Sequence, residues 1–173
     1  LPVRLTGDIA AGTEGRYRDR LDTNLLERDT GAAWETAADP NIFKTWATYS
    51  PVLSAGGTPI TIGNGSYVGR YLYIGKLVHV HAEITFGSTT TLGSGLYAFS
   101  LPTGAKAGSL LEAMANDVSA SARTAGIADV FGTTATGDIM RIVFGSASAS
   151  NSSPYAWASG DRLVVHGIYE ANV

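Results

Sequence analysis

Three residues at alternate positions carry side chains of the types that bind transition metals. His79, His81 and Glu83 are each two residues apart, and side chains at this spacing lie on one face of a β-strand. Imidazole and carboxylate ligands suit zinc, copper or iron, and three ligands on one face leave a coordination position open. These residues are the candidate metal ligands. The alternative is a polar strand face that contacts solvent or another subunit, which we favour because the third histidine, His166, is far away in sequence.

The sequence offers no further catalytic constellation. It contains no cysteine, which excludes disulfides, zinc fingers and a thiol nucleophile. No G-x-S-x-G motif marks a nucleophilic serine. The glycines Gly63, Gly65 and Gly69 depart from the G-x-G-x-x-G spacing of a dinucleotide site. We therefore expect no enzyme activity, no bound metal, no catalytic residues and no cofactor.

Aromatic and polar residues indicate a second kind of candidate site, one that binds carbohydrate by stacking rings on sugars. Four rings lie near the two ends of the longer part of the chain: Trp46, Tyr49, Tyr155 and Trp157. We expect them to be structural and to pack together to close the fold. If the protein binds a glycan, the tips that contact it are loops 88–94 and 146–153, with candidate ligand-facing residues Ser88, Thr90, Ser148 and Asn151.

β-Strands are the elements that must position these residues. The clearest two-residue alternation is Leu77–Phe86, which places the apolar Val78, Val80, Ala82, Ile84 and Phe86 on the face opposite the histidines. Further strands are predicted at 59–62, 67–74, 96–101, 109–117, 123–131, 139–144 and 162–170. Asn64-Gly65 predicts a hairpin turn. Residues 109–116 have helical propensity, but a helix would interrupt the run of strands, so a strand is favoured. About eight strands predict an all-β, antiparallel, jelly-roll-like β-sandwich.

Charge divides the chain of 173 residues into two parts, because residues 1–39 carry 13 of the 27 charged side chains. We predict an extended N-terminal arm or anchor at 1–45 and the sandwich at 46–173. The arm has too few apolar residues for a core of its own, so it is either a solvated tail or a segment that orders against a partner. Asp29-Thr30-Gly31 predicts a turn, and Leu21, Leu25 and Leu26 fit a short helical stripe. The candidate partner anchors are Leu21, Leu25, Leu26 and Trp34.

Two classes of partner are excluded by composition. The formal net charge is −3, which does not supply the broad basic face that nucleic acid requires. No run of 18 apolar residues occurs, so we expect no membrane insertion.

An ordered set of short motifs in the longer part resembles a known family. The motifs lie at 46–53, 62–65, 69–71, 74–80, 86–90, 93–95, 100–102, 154–161 and 169–171, for example Trp46-Ala47-Thr48-Tyr49 and Ile74-Gly75-Lys76-Leu77. Together they resemble the C-terminal β-sandwich module of virion proteins of tailed bacteriophages, the minor tail and tail-fibre-like type found in phages of actinobacteria. The resemblance covers about residues 45–173. It implies a structural, commonly trimeric module on a virion, without catalytic residues.

The resemblance leads to a function hypothesis with two alternatives. The first is a tail-associated or receptor-binding virion protein, a homotrimer that contacts other virion proteins through residues 1–45 and a glycan on the host cell surface. The second is a capsid decoration protein or head fibre, attached to the shell by the same arm. The third is a cupin-like metalloenzyme that uses His79, His81 and Glu83, although cupins place the glutamate about four residues after the second histidine. The absence of cysteine agrees with assembly in the reducing bacterial cytoplasm.

Overall fold

The computed structural model describes residues 12, 15, 17–20, 25–38, 45–106, 108–131 and 139–172. The chain divides into two compact units, Leu1–Lys44 and Thr45–Val173. Within the described ranges all regular elements are β-strands, and no helix is long and apolar enough to cross a membrane. The expected all-β, antiparallel, sandwich-like fold is confirmed.

In its described residues the first unit forms a three-stranded antiparallel sheet in the order β1-β2-β3. The strands are β1 (Tyr17–Arg20), β2 (Leu25–Asp29) and β3 (Trp34–Ala38). The predicted turn at Asp29–Gly31 is confirmed: the amide of Thr30 donates to the carbonyl of Ala33 at 2.9 Å, and Gly31 has a φ of 86°, which favours glycine.

The predicted helical stripe of leucines is wrong. Leu25 and Leu26 lie in β2, which pairs with β1 on one side and β3 on the other, and the pairing with β3 shifts register between Leu26 and Glu27. Burial in β2 is also the reverse of a leucine stripe, since Asp29 is fully buried and Leu26 is exposed. The amides of Gly12 and Gly31 donate to the Asp29 carboxylate. The amide of Gly12, 17 residues away, and the local amide of Gly31 together satisfy the buried carboxylate of this strand.

The second unit is one antiparallel sheet of ten strands in its described part. They are β4 (Ala47–Thr48), β5 (Leu53–Ala55), β6 (Ser66–Ile74), β7 (Leu77–Thr85), β8 (Tyr97–Ser100), β9 (Leu110–Asp117), β10 (Ala122–Phe131), β11 (Ile139–Phe144), β12 (Ala147–Ser148) and β13 (Arg162–Glu170). The order is β4-β6-β7-β13-β9-β10-β11-β8-β5, with β12 paired to β11. Leu53 of β5 and Val80 of β7 share one core although their strands lie near opposite ends of this order, so the sheet curls onto itself.

The strand at 109–117 illustrates how the sheet decides local structure. β9 has side chains with good helical propensity, yet it pairs with β13 on one edge and β10 on the other. Leu111, Ala113 and Ala115 alternate into the core. The predicted strand is confirmed, because two ladders of backbone hydrogen bonds and an apolar face outweigh the local preference.

Two local predictions are wrong. Residues 59–62 do not form a strand, since they contribute only a single bridge between Thr61 and Thr91. No hairpin forms at Asn64-Gly65, because the amide of Gly65 closes a turn onto the carbonyl of Ile62 and Asn64 bonds instead to the loop that follows β7. Hydrogen bonds between the Asn64 side chain and a distant loop therefore replace the strand pairing that the hairpin would have had. Local turn preferences do not include such distant contacts.

The core is built from the inward face of these strands. Val78, Val80, Ala82 and Ile84 of β7 are fully buried, as are Leu163 and Val165 of the neighbouring β13. The buried aromatic residues satisfy their polar atoms: the hydroxyl of Tyr97 donates to the carbonyl of Leu92 at 2.6 Å and that of Tyr169 to Thr103 at 3.1 Å. Because alternate side chains of each strand are held in this core, the side chains between them must point outward.

Candidate functional site

Strand register assembles a row of four ionisable residues on the outward face of the sheet. Arg70 of β6 lies opposite His81 of β7, His81 lies opposite His166 of β13, and His166 lies opposite Glu112 of β9. We call Arg70, His81, His166 and Glu112 the central row. Neighbouring strands are about 4.8 Å apart, so the row is about 14 Å long.

Ion pairs within and beside the central row involve Glu112 and Glu83. His166 Nε2 is 3.1 Å from Glu112 Oε2, an ion pair that requires a protonated imidazole. Glu83 lies between two nitrogen-bearing side chains, with Arg162 Nη1 at 3.6 Å and His81 Nε2, which is charged only when protonated, at 3.8 Å. At these longer distances Glu83 interacts by charge rather than by a hydrogen bond.

The surroundings of His81, in the middle of the central row, favour the neutral form of its imidazole. Partial burial lowers the pKa of His81 below its ordinary value, and the positive charge of Arg70 lowers it further. Glu83 acts in the opposite direction, while His166 and His79 add to the lowering. Desolvation is the largest cause, because a half-buried imidazole loses hydration when it is charged.

Trp46 covers one end of this face. Its ring centroid is 5.1 Å from that of His79, and the guanidinium carbon of Arg70 lies 5.1 Å from the same ring, a cation–π geometry. Trp46 directly precedes β4, which pairs with β6 through Ala47 and Tyr71. Short as it is, this strand positions an exposed indole over two members of the polar face.

Apolar side chains flank the central row and are unusually exposed. Val68, Leu110, Ile127 and Ile168 have 50%, 65%, 47% and 50% of their surface exposed. Beside Glu112 lies an open depression of about 450 Å³, lined among others by Met114, Ala125, Gly126, Val164 and His166. The outward face therefore combines ionisable side chains with apolar surface that the single chain leaves exposed.

The candidate metal ligands share the outward face of β7 but separate in their contacts. His79 packs against Trp46, whereas His81 is directed to Glu83. Among the described residues no group of three or more His, Asp or Glu side chains is arranged to hold a metal ion.

The four candidate structural aromatics fall into separate clusters. Trp157 is buried, packs against Phe86 and Tyr155 at 4.7 and 4.8 Å between ring centroids, and donates its indole N–H to the carbonyl of Ser150 at 2.8 Å. Tyr49 contacts Tyr71 at 6.0 Å, and Trp46 lies apart from both clusters on the outward face.

Two of the candidate ligand-facing residues are hydrogen-bonded inside the protein. Ser88 Oγ accepts from Asn64 Nδ2 at 3.0 Å. Thr90 Oγ1 donates to the carbonyl of Ile62 at 2.6 Å and accepts from the amide of Gly87 at 2.8 Å. Ser148 lies in β12, and Asn151 is exposed in the turn that follows.

The candidate anchors of the first unit are described only in part. Leu21 lies outside the described residues, as does the side chain of Leu25. Leu26 is exposed in β2, and the half-buried Trp34 begins β3 opposite Asp29.

The sequence does not identify Arg70, Glu112 and Arg162 as members of one site with His81 and His166. Each of the three lies on a different strand, at a position that the two-residue alternation predicts to face outward. That orientation is all that the local sequence indicates. Which outward positions become neighbours depends on the register between strands that are distant in the chain.

No family model matches this chain, and no curated protein matches it. Among solved structures, the fold is similar to part of the crystal structure of the Dettilon tailspike protein (gp208), with a TM-score of 0.52 and 16% sequence identity. The similarity covers 74% of this chain and 24% of the tailspike, so the chain spans about a quarter of that protein's length. This likeness shows a fold that also occurs in a phage tail protein.

Proposed function

We propose that this chain is a tail-associated structural protein of a bacteriophage virion and that its sandwich is a display module without catalytic activity. The observation that carries the proposal is the similarity of fold to a tailspike over 74% of the chain. The ordered motifs of residues 46–171 support it independently, because they resemble tail and fibre modules in sequence.

Particle location tests this proposal. Antibodies against residues 45–173, applied to intact phage particles in electron microscopy, are expected to label the tail or its tip, in few copies per particle. Labelling spread over the capsid shell would replace the tail assignment by a capsid decoration protein. A protein absent from purified particles would overturn the virion assignment altogether.

The module acts as a homotrimer in this proposal. Its support is the outward face of the sheet, where exposed apolar residues such as Leu110 and Ile168 border complementary charges. Light scattering of the full chain is expected to give three times the chain mass of 18.0 kDa. A monomer mass at every concentration would contradict the trimer.

Attachment to the particle is assigned to residues 1–45, which join other virion proteins. The charge-rich composition of this segment and its separation as a compact unit support this division of labour. Deleting residues 1–44 should leave a folded second unit that no longer incorporates into particles. Normal incorporation of the deletion variant would overturn the assignment.

The ligand of the module is a glycan on the host cell surface, contacted by the loops that carry Ser88, Thr90, Ser148 and Asn151. Support comes from the internal bonds of Ser88 and Thr90, because a loop held in one conformation loses little entropy on binding. The purified wild-type protein should compete with phage for adsorption to host cells, and Asn151→Ala should compete less well. Equal competition by the two proteins would contradict these loops as the contact.

A further inference from the structure

We propose that the outward face of β6, β7, β13 and β9 is the surface through which copies of this chain associate, with Arg70 of each subunit against Glu112 of the next. His81 and His166 then face the three-fold axis. The inference rests on the trimer of the proposed function, and it adds which surface forms it.

The first argument is the order of charge along the central row. Arg70 is the one charged outward residue of β6, and Glu112 is the one charged outward residue of β9, two strands that are described in full. The row is therefore basic at one end and acidic at the other, with the two histidines between. A surface whose ends are complementary to each other can associate head to tail with identical copies, and such contacts form a ring when the rotation between copies closes.

The second argument is that the neighbours of these two residues are complementary as well. Val68 and Leu72 flank Arg70 on β6, while Met114 and Leu110 flank Glu112 on β9. Register through β7 and β13 places Val68 level with Met114, and Leu72 and Leu110 both lie on the opposite side of the central row. When Arg70 meets Glu112 with strands aligned along the axis, apolar side chains meet apolar side chains on both sides of the ion pair.

The third argument is space on the acidic side of the row. The depression of about 450 Å³ beside Glu112 has small residues, Ala125 and Gly126, among its lining. Val68 of the next subunit lies level with this depression in the proposed arrangement. An apolar side chain seated there lies near the exposed Ile127, which is opposite Glu112 on β10.

The middle of the face is suited to an axis at which identical groups approach each other. The charged and titratable groups around His81 are Arg70 on β6, His79 and Glu83 on β7, and His166 on β13. A neutral His81 avoids repulsion between its three copies, and Glu83 provides a negative charge beside it.

A charge exchange on the full chain tests the proposal by native mass spectrometry. Arg70→Glu and Glu112→Arg alone are each expected to weaken the trimer at least about tenfold, because like charges then meet across the interface. The double variant R70E/E112R restores opposite charges and should recover the trimer. Lys76→Glu in the exposed turn between β6 and β7 is the matched control and should leave the trimer unchanged.

Cysteine cross-linking supplies a second measurement that does not depend on weakened association. The chain contains no cysteine, so the variant R70C/E112C has no background pairing. Within one subunit the two positions are about 14 Å apart, too far for a disulfide, and any bond between them joins two subunits. Covalent dimers and trimers are expected on a non-reducing gel, whereas K76C/E112C should give none.

The outcomes separate the surface from the trimer itself. A trimer that persists in both charge-reversal variants and gives no cross-link would overturn this surface and leave the proposed trimer standing. A wild-type chain that is monomeric at every concentration would overturn the trimer and this inference together. Circular dichroism of each variant, compared with wild type, shows that a lost trimer is not a lost fold.

Discussion

The two faces of the same four strands differ in how completely the fold uses them. On the inward face of β7, Val78, Val80 and Ile84 are fully buried. On its outward face, His79 and His81 are only half-buried, and the neighbouring Ile168 remains half exposed. The inward face is saturated by packing within one chain, whereas the outward face has apolar surface and charge that the monomer leaves accessible. Function is therefore expected on the outward face and stability on the inward face.

The largest expected effect compares the same residue type on the two faces. Ile84→Ala, in the core, should lower the free energy of unfolding by about 2 to 5 kcal/mol through lost burial and a residual cavity. Ile168→Ala on the outward face should cost about 1 kcal/mol or less, because half of that side chain already contacts water. Urea unfolding of both variants measures the difference.

The comparison of Ile84 with Ile168 must measure the stability of the single subunit, without a contribution from contacts between subunits. Both isoleucine variants are therefore made in the Arg70→Glu chain, whose trimer is expected to be weakened, and are unfolded at a concentration at which that chain is monomeric by light scattering. Equal losses at Ile84 and Ile168 in that background would show that the outward face also carries the fold of the single subunit, against the distinction drawn between the faces.

The next largest loss of stability is expected at Asp161, a buried carboxylate at the edge of the core. Its carboxylate accepts from the amides of Val118 at 2.9 Å and Ala158 at 2.8 Å, and the residue is 1% exposed. Asp161→Ala leaves two amides without their acceptor and should cost about 2 to 3 kcal/mol, measured by thermal or urea unfolding. Asp117→Ala is the matched control, since Asp117 accepts bonds from Ser119 and Ala120 but is only partly buried. Similar losses in both would contradict burial as the cause.

The inward face was the part of the fold that the sequence predicted well. Apolar residues at every second position define β7 and β13, because alternation is a local property that burial on one side enforces. β9 required one nonlocal assumption, that a helix would interrupt the sheet. The prediction of a helical stripe was misled because Leu21 and Leu25 are spaced as on a helix in the sequence, whereas Leu25 lies in β2, where the buried Asp29 accepts hydrogen bonds from the amides of Gly12 and Gly31.

The outward face could be predicted only one strand at a time. His79, His81 and Glu83 are recognisable as a polar face of β7, but their spacing alone also fits a metal site. That His81 has Arg70 and His166 as lateral neighbours follows from register between strands some 11 and 85 positions away. Such pairings depend on the whole sheet, so chemistry that spans several strands is not visible in any single segment.

Acidification should lower the stability of the fold by a smaller amount, through protonation of His81 on the outward face. Its pKa is lowered in the folded chain, chiefly by burial, so the unfolded chain binds a proton first as the pH falls. Stability is therefore complete above the ordinary value of 6.5 and decreases as the pH falls from that value to the lowered pKa, where it levels off. Urea midpoints between about pH 8 and about pH 5 measure the slope, which His81→Gln should reduce.

The three histidines of the chain allow this assignment to be checked directly. NMR titration of the imidazole protons, assigned with the single variants H79Q, H81Q and H166Q, should give His81 a pKa below 6.5. Arg70→Ala should move that pKa upward by removing a nearby positive charge. A titration of His81 at or above 6.5 would contradict both its burial and the influence of Arg70.

The smallest expected effect concerns an exposed ion pair at the end of β13. Lys106 Nζ lies 2.9 Å from Glu170 Oε1, with the two side chains 61% and 41% exposed. Lys106→Ala should change the free energy of unfolding by about 0 to 1 kcal/mol, and less at high salt, because water and ions screen the pair. A loss as large as that at Asp161 would mean that outward charges hold the single subunit together. A negligible loss supports the opposite conclusion for Arg70 and Glu112: charges that the fold does not require are available for contacts between subunits.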